Sequence, residues 1–474
     1  MGQVPRELTP LESVLHFFGA QLRYWRTLRG LSQVALGRRT HDSGALIGKI
    51  EKGERSPSLA LARRLDTALD TGGALERLWP QLERDRPTRD APDDALVSGG
   101  SDAGDFGLAW PATPHATVKV VGELWRADVN RRSIIVSATW VASAFAGPTR
   151  EWLLNREDEV VQGWAGRHVG QDDIDAMWQM CATFTDVDQR LGGGYARSTL
   201  LHYVNHVVLP LLEGSYDDAI GRELMAATAR LCDLCGYMSW DSGKQGLAQR
   251  YFIQALRLAQ ASGDRALGAH ILADMATQAH SLGDSSQALA LASAGLDCGS
   301  PLTAARCAAW QGSAHALRGD QRACAQACSV AQRALDRAAP SGERLWFKFF
   351  TAEHLSYEML CMASDLGWHN DVQRLAPDVL DSAAAGGHAR RRVLATTALV
   401  RSHLPAQGNP HSDLDRACDL LGQVIPLLGS LRSTRSLEQV NSVRRALAPH
   451  AECSSVQDVE ERFRSTIPAL STPV

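Results

Sequence analysis

The stretch SGALIGKIEKGERSP, Ser43 to Pro57, decides how the first part of the chain folds. Ile47 and Ile50 fall three apart, which puts both on one face of a helix, while Lys49, Lys52 and Arg55 fall outside that face. Ser43 suits a helix N-cap and Gly53 a helix end, so a short helix is expected between them. Ser56 caps the next helix, with Pro57 at its first position. Gly44, Ala45 and Gly48 leave the first of these helices poor in side chains.

Working outward, Phe18, Leu22, Trp25 and Leu28 recur at helical spacing from His16 to Leu28, and Gly30 stops that run. Ser32 caps a second short helix, QVALGRRT, in which Gly37 leaves room for a neighbour. His41–Asp42 make a turn before Ser43. Downstream, Leu61, Leu65 and Leu69 give a fourth helix its buried stripe. Leu75, Leu78, Trp79 and Leu82 do the same for a fifth over Ala74–Glu83.

Charge gathers on this head. Residues 19–64 hold ten Lys and Arg against three Asp and Glu, although the whole chain of 474 residues has a net charge of −4. A basic module on an acidic body suits a polyanion partner.

Five short helices, the second and third joined by a tight turn, resemble the helix-turn-helix domain of the Xre/Cro/lambda-repressor family. The matching residues run from Ser32 to Glu51, SQVALGRRTHDSGALIGKIE, followed by KGERSPS. Thr40, His41 and Asp42 depart from the family, which usually has an apolar residue, a glycine and another apolar residue there. The resemblance implies a double-stranded DNA partner, with the third helix in the major groove and the second across the backbone. It also assigns contacts. Gln33 would meet phosphate or a base edge, and Ser32 beside it is counted among the DNA-binding residues. Ser43, Gly44, Ala45 and Lys49 would face the groove, and Arg38, Arg39, Lys52 and Arg55 would contact phosphates.

The rest of the chain divides by composition. Residues 87–116 are rich in Pro, Gly, Asp and Ser and read as a flexible linker after a 16–86 head. Residues 117–173 read as an unassigned helical segment. They include twin arginines, Arg131 and Arg132, before an apolar run; buried structure is the expectation there, in preference to an export signal. From 174 to 450 amphipathic helices follow one another, and 451–474 reads as a tail.

Repeats emerge when the Gly-Asp turns are aligned. Small or aromatic residues recur as Ala248/Phe252/Ala255, Ala288/Ala292/Gly295 and Cys324/Cys328/Ala331. Their spacing approaches the roughly 34-residue period of tetratricopeptide repeats. Further pairs are expected over 343–385 and 389–428, with Thr434–Ala448 capping the array. The expected fold is all-α, a Cro-type head followed by a solenoid of helix pairs. This order of parts resembles a group of actinobacterial transcriptional regulators. It implies a cytoplasmic DNA-binding regulator, expected as a homodimer, whose repeat domain dimerises or senses a ligand; a small-molecule, peptide or protein effector is left open.

Chemistry-bearing residues are few. Cys232/Cys235 form a CxxC inside a helix, without a second pair at zinc-site spacing. His202 and His206 lack the glutamate of a zincin motif. All ten cysteines lie beyond residue 180 and read as free thiols in a reducing cytoplasm. No metal, cofactor or catalytic site is expected, and no apolar run is long enough for a bilayer. Trp346, Phe349, Phe350 and Tyr357 form the most aromatic region, either as core or as the lining of an effector pocket.

Overall fold

A computed structural model describes residues 14–69, 71, 75–76, 106–129, 139–154, 162–164, 166–297, 299–338, 347, 349–405 and 412–466. The chain divides into two compact units, Met1–Gly100 and Ser101–Val474. Both are helical; the described strands amount to a two-residue antiparallel pair, Gly163–Trp164 (β1) with Ser215–Tyr216 (β2).

The first unit holds α1 (Val14–Leu28), α2 (Gln33–Thr40), α3 (Gly44–Glu51) and α4 (Leu59–Leu69). The sequence sets each boundary. Ser32 Oγ accepts from Ala35 N at 3.1 Å, and Ser43 Oγ accepts from Leu46 N at 3.1 Å. Each cap satisfies a donor that has no partner inside its helix. Phe18, Leu22, Leu36, Ile47, Ile50, Leu61, Leu65 and Leu69 form the core. Leu28 does not join it and stands 56% exposed. Asp66, buried, accepts from Leu75 N at 2.9 Å, which ties the chain after α4 to that helix. Most of the expected fifth helix, Ala74–Glu83, lies outside the described residues.

The departure from the family pattern at Thr40–Asp42 is accommodated in a defined way. His41 adopts the left-handed conformation, φ 59° and ψ 36°, where glycine usually stands. That lets Asp42 N–H donate to Gly37 O at 2.8 Å, closing α2. Thr40 is buried, its hydroxyl donating to Leu36 O at 3.2 Å. Arg64 of α4 then staples the turn, donating to Thr40 O and to Asp42 Oδ2 at 2.8 and 2.9 Å.

The second unit begins earlier than composition suggested. The stretch read as flexible linker is docked from Phe106 onward. Arg250, Gln254 and Arg257 fall on one stripe of a buried helix and donate to the carbonyls of Phe106, Gly107 and Pro111, each at 2.8 Å. The turn at 106–108, with Gly107 at positive φ, leaves carbonyls that these side-chain donors hold. The following segment is helical: α5 (Pro114–Val129), a 3-10 turn at Ala142–Phe145 and α6 (Ala146–Leu154). Trp152 of α6 is fully buried, capped by the Arg265 guanidinium 3.8 Å from its ring. Arg131 and Arg132 lie outside the described residues.

Next come α7 (Gln171–Leu191) and α8 (Gly193–Tyr203), the latter running through a π turn at Val204–Val208 into α9 (Leu209–Leu212). Helix pairs follow. They are α10 (Asp218–Asp241) with α11 (Gln245–Ser262), α12 (Arg265–Ser281) with α13 (Ser285–Leu296), and α14 (Pro301–Leu317) with α15 (Gln321–Asp336). Then α16 (Ala352–Asp365) pairs with α17 (His369–Ala385), and α18 (Ala389–His403) with α19 (Leu414–Leu428). The Gly-Asp turns explain the repeat. Gly263, Gly283 and Gly319 take positive φ, and Asp264, Asp284 and Asp320 cap the next helix at 2.9–3.0 Å. The small residues between paired helices are buried, except half-buried Cys328.

After α20 (Thr434–Leu447) comes α21 (Ser454–Thr466), a helix inside the stretch read as a tail; residues 467–474 lie outside the described residues. Val456, Val459 and Phe463 fall on one face of α21 and are buried, and Arg462 donates to Gly422 O at 3.0 Å. That stripe is apolar enough to end the array, though its polar composition hid it.

Candidate nucleic-acid interface and a chamber in the helical body

The geometry of the first unit turns on Glu51, the last residue of α3, whose carboxylate is fully buried. Arg26 of α1 pairs with it, Nη2 donating to Oε2 at 2.9 Å, and Gln33 Nε2 donates to the same oxygen at 2.8 Å. The Glu51 hydrogen bond raises the Arg26 pKa above its ordinary value. One carboxylate thus ties α1, α2 and α3 together and sets the angle between the two helix-turn-helix elements.

Several cations counted in the sequence are consumed by this scaffold. Arg23 donates to Glu51 O, Arg29 to Leu69 O, Arg63 pairs with Glu76 and Arg64 with Asp42. Arg38, Arg39, Lys49, Lys52 and Arg55 remain, exposed, with side chains that bond to none of the described residues. These are the five cations the resemblance assigns to DNA. Ala45 and Lys49 lie on one exposed stripe of α3, continued by Lys52 at its C-cap, and Ser32 and Ser43 lie exposed at the helix starts.

The glycines of α3 serve the protein rather than the groove. A Cβ on Gly44 would lie 2.9 Å from Val34 Cα, and one on Gly48 would lie 3.0 Å from Gln33 Oε1. Gly44 is therefore a packing position against α2 and not a groove-facing one. Gly48 leaves room for Gln33 to cross α3 and reach Glu51.

The helical body contains a chamber of about 670 Å3, lined by the first helices of successive pairs. At one end sits a buried network. Arg306 donates to Asp274 Oδ1 at 2.6 Å and to His270 Nδ1 at 2.5 Å, while Arg230 pairs with Asp233. His270 Nε2 lies 3.3 Å from a carboxylate oxygen of both Asp233 and Asp274. Burial, reinforced by the Arg306 charge, pushes the His270 pKa well below the ordinary imidazole value. Asp233, His270 and Asp274 could in principle ligate a metal. Two guanidiniums already neutralise the two carboxylates, so a divalent ion would leave buried, uncompensated charge. The group reads as an ion-pair network.

A second network joins α7, α10 and α18. Arg390 meets Asp188 Oδ2 at 2.7 Å and Asp241 Oδ2 at 3.2 Å. Burial alone would raise the Asp241 pKa, but the charges of Arg390 and Arg435 outweigh it and hold it low.

Of the aromatic residues predicted to line a pocket, Phe349 and Tyr357 do line the chamber. Phe350 does not: its ring stacks on Phe347 at 6.4 Å, and it is 2% exposed, part of the core. Trp346 lies outside the described residues. The charged lining went unpredicted, although Arg230 and Asp233, three apart in the otherwise apolar ARLCDLC, were a signal for a buried pair. Cys232 and Cys235 are buried in α10, and burial pushes both thiols up, away from the thiolate that metal binding needs. The His202 and His206 rings stack at 4.1 Å. No described helix is long and apolar enough to cross a membrane.

Residues 18–79 match a family described as a helix-turn-helix domain. No curated protein and no solved structure matches the chain.

Proposed function

We propose that this chain is a cytoplasmic, sequence-specific transcription regulator of the Xre/Cro type. In this reading it binds double-stranded DNA through α2 and α3, acts as a homodimer, and uses a tetratricopeptide-like body to receive a signal. The observation that carries the reading is the set of five exposed, unengaged cations on a scaffold fixed by Arg26, Gln33 and Glu51. Arg38, Arg39, Lys52 and Arg55 position the unit on phosphates. Lys49 reaches guanine O6 and N7, and Ala45 packs on a thymine methyl. With Gly44 and Gly48 committed to internal packing, one unit offers few base readers, so half-site spacing in a dimer supplies the remaining specificity. The roles are those of binding, not catalysis.

A signal in the body alters DNA affinity only if it binds the competent and incompetent arrangements unequally. The side-chain-poor α3 favours a second reading, a protein-interaction adaptor with a degenerate head. Selection of bound duplexes from a random pool by the full chain separates the two. Enrichment of a two-part motif, lost in Gln33→Ala/Lys49→Ala, supports the regulator. An unenriched pool supports the adaptor.

A further inference from the structure

The arginines around the chamber are not equivalent. Arg230, Arg306 and Arg390 each have a carboxylate within hydrogen-bonding reach, and Arg435 has Asp241 at 3.6 Å. Arg391 and Arg401, both on α18 and both facing the chamber, have no carboxylate within 4.0 Å among the described residues. Arg391 donates to His354 Nδ1 at 2.8 Å and lies 5.5 Å from the centre of the Tyr357 ring. Arg401 donates to Gln439 Oε1 at 2.5 Å. The nearby carboxylates are turned to other partners: Glu358 to His354 at 3.3 Å, and Asp365 to His280 at 3.2 Å.

A half-buried guanidinium without a directly paired carboxylate is expensive to hold, and burial drives the Arg401 pKa below its ordinary value despite the charge of Asp365. A ligand bringing acid oxygens would remove that cost. The walls also offer apolar surface from Trp310, Tyr357 and Leu394. The volume falls within the roughly 300–1,000 Å3 of small-molecule sites. The arginines stand ten residues apart, about 15 Å along the helix axis, so they suit an elongated molecule rather than a bare ion.

We propose that the chamber binds an elongated, partly aromatic or aliphatic organic anion, a carboxylate or phosphate, held by Arg391 and Arg401. This deepens the reading of the body as a signal receiver and rests on it.

The test titrates the full chain with anilinonaphthalenesulfonate, an aromatic anion, and with uncharged Nile red as control. The wild type is expected to bind the anion saturably, one per chain. Arg391→Gln/Arg401→Gln should weaken it about tenfold or more, the loss expected for charge-assisted hydrogen bonds, while Nile red binding holds. Equal anion affinity in wild type and the Gln variant overturns the proposal. If the Gln variant also loses Nile red, Arg391→Lys/Arg401→Lys decides: anion binding retained supports the site, and anion binding lost overturns it. Displacement by decanoate or by decyl phosphate tells which acid is preferred. DNA affinity is read separately on the same proteins, so failure of the DNA-binding reading stays distinct from failure of this site.

Discussion

Gln33 and Glu51 meet across the helix-turn-helix, the Gln33 amide donating to Glu51 Oε2 at 2.8 Å, with Gly48 clearing the path between them. The glutamine that the resemblance assigns to DNA is thereby oriented by the same carboxylate that pairs with Arg26. Removing that carboxylate strands a largely buried guanidinium. Glu51→Ala should destabilise the first unit by about 3 kcal/mol, and Glu51→Gln by less. Urea unfolding followed by circular dichroism checks this; equal midpoints for wild type and Glu51→Ala would show that the pair does not matter.

His41 holds a backbone conformation that a β-branched residue tolerates poorly. His41→Val should cost about 1–2 kcal/mol, and His41→Gly should be nearly neutral, because relief of strain offsets added chain entropy. Comparing both variants in the same unfolding experiment tests the geometry; a stable Val variant contradicts it.

In the body, a Cβ on Gly268 would lie 2.0 Å from Trp152 Cη2. Trp152 is buried, with no room to retreat. Gly268→Ala should therefore displace α6 and destabilise the body by about 1–3 kcal/mol. A thermal melt unaffected by the substitution would mean that α6 does not pack there.

Stability should also depend on pH. His270 and His354 titrate below the ordinary imidazole value, burial being the larger cause in both. As pH falls through about 6.5, the unfolded imidazoles take up protons while the folded ones do not, so stability is lost. Each histidine contributes a slope of up to about 1.4 kcal/mol per pH unit below that point. His270→Gln/His354→Gln should flatten the dependence between about pH 6.5 and 5. An unchanged slope would show that neither group is held neutral in the fold.

Local signals made the first unit readable. Ser32, Ser43 and Gly53 mark helix ends, and Ile47 and Ile50 mark a buried face, all within a few residues. The Gly-Asp turns worked in the same way, because Asp264, Asp284 and Asp320 cap the helices that follow them. Long-range pairing was not readable. Asp188 meets Arg390 only because α7 and α18 come together, and nothing near either residue in the chain announces the other. The docked stretch misled for a related reason: Pro and Gly signal the absence of helix, while its partners Arg250, Gln254 and Arg257 lie far along the chain. That Gly44 and Gly48 are packing positions was not readable either, because their neighbours, Val34 and Gln33, are visible as contacts only in the fold.

The proposed function rests on sequence-specific DNA binding by α2 and α3. The most direct measurement is a genome-wide map of DNA bound by the protein in its native cells, with Gln33→Ala/Lys49→Ala as control. Discrete sites sharing a two-part motif, lost in the double variant, are expected. An absence of discrete sites across several growth conditions, or sites unchanged in the variant, would contradict the proposed function.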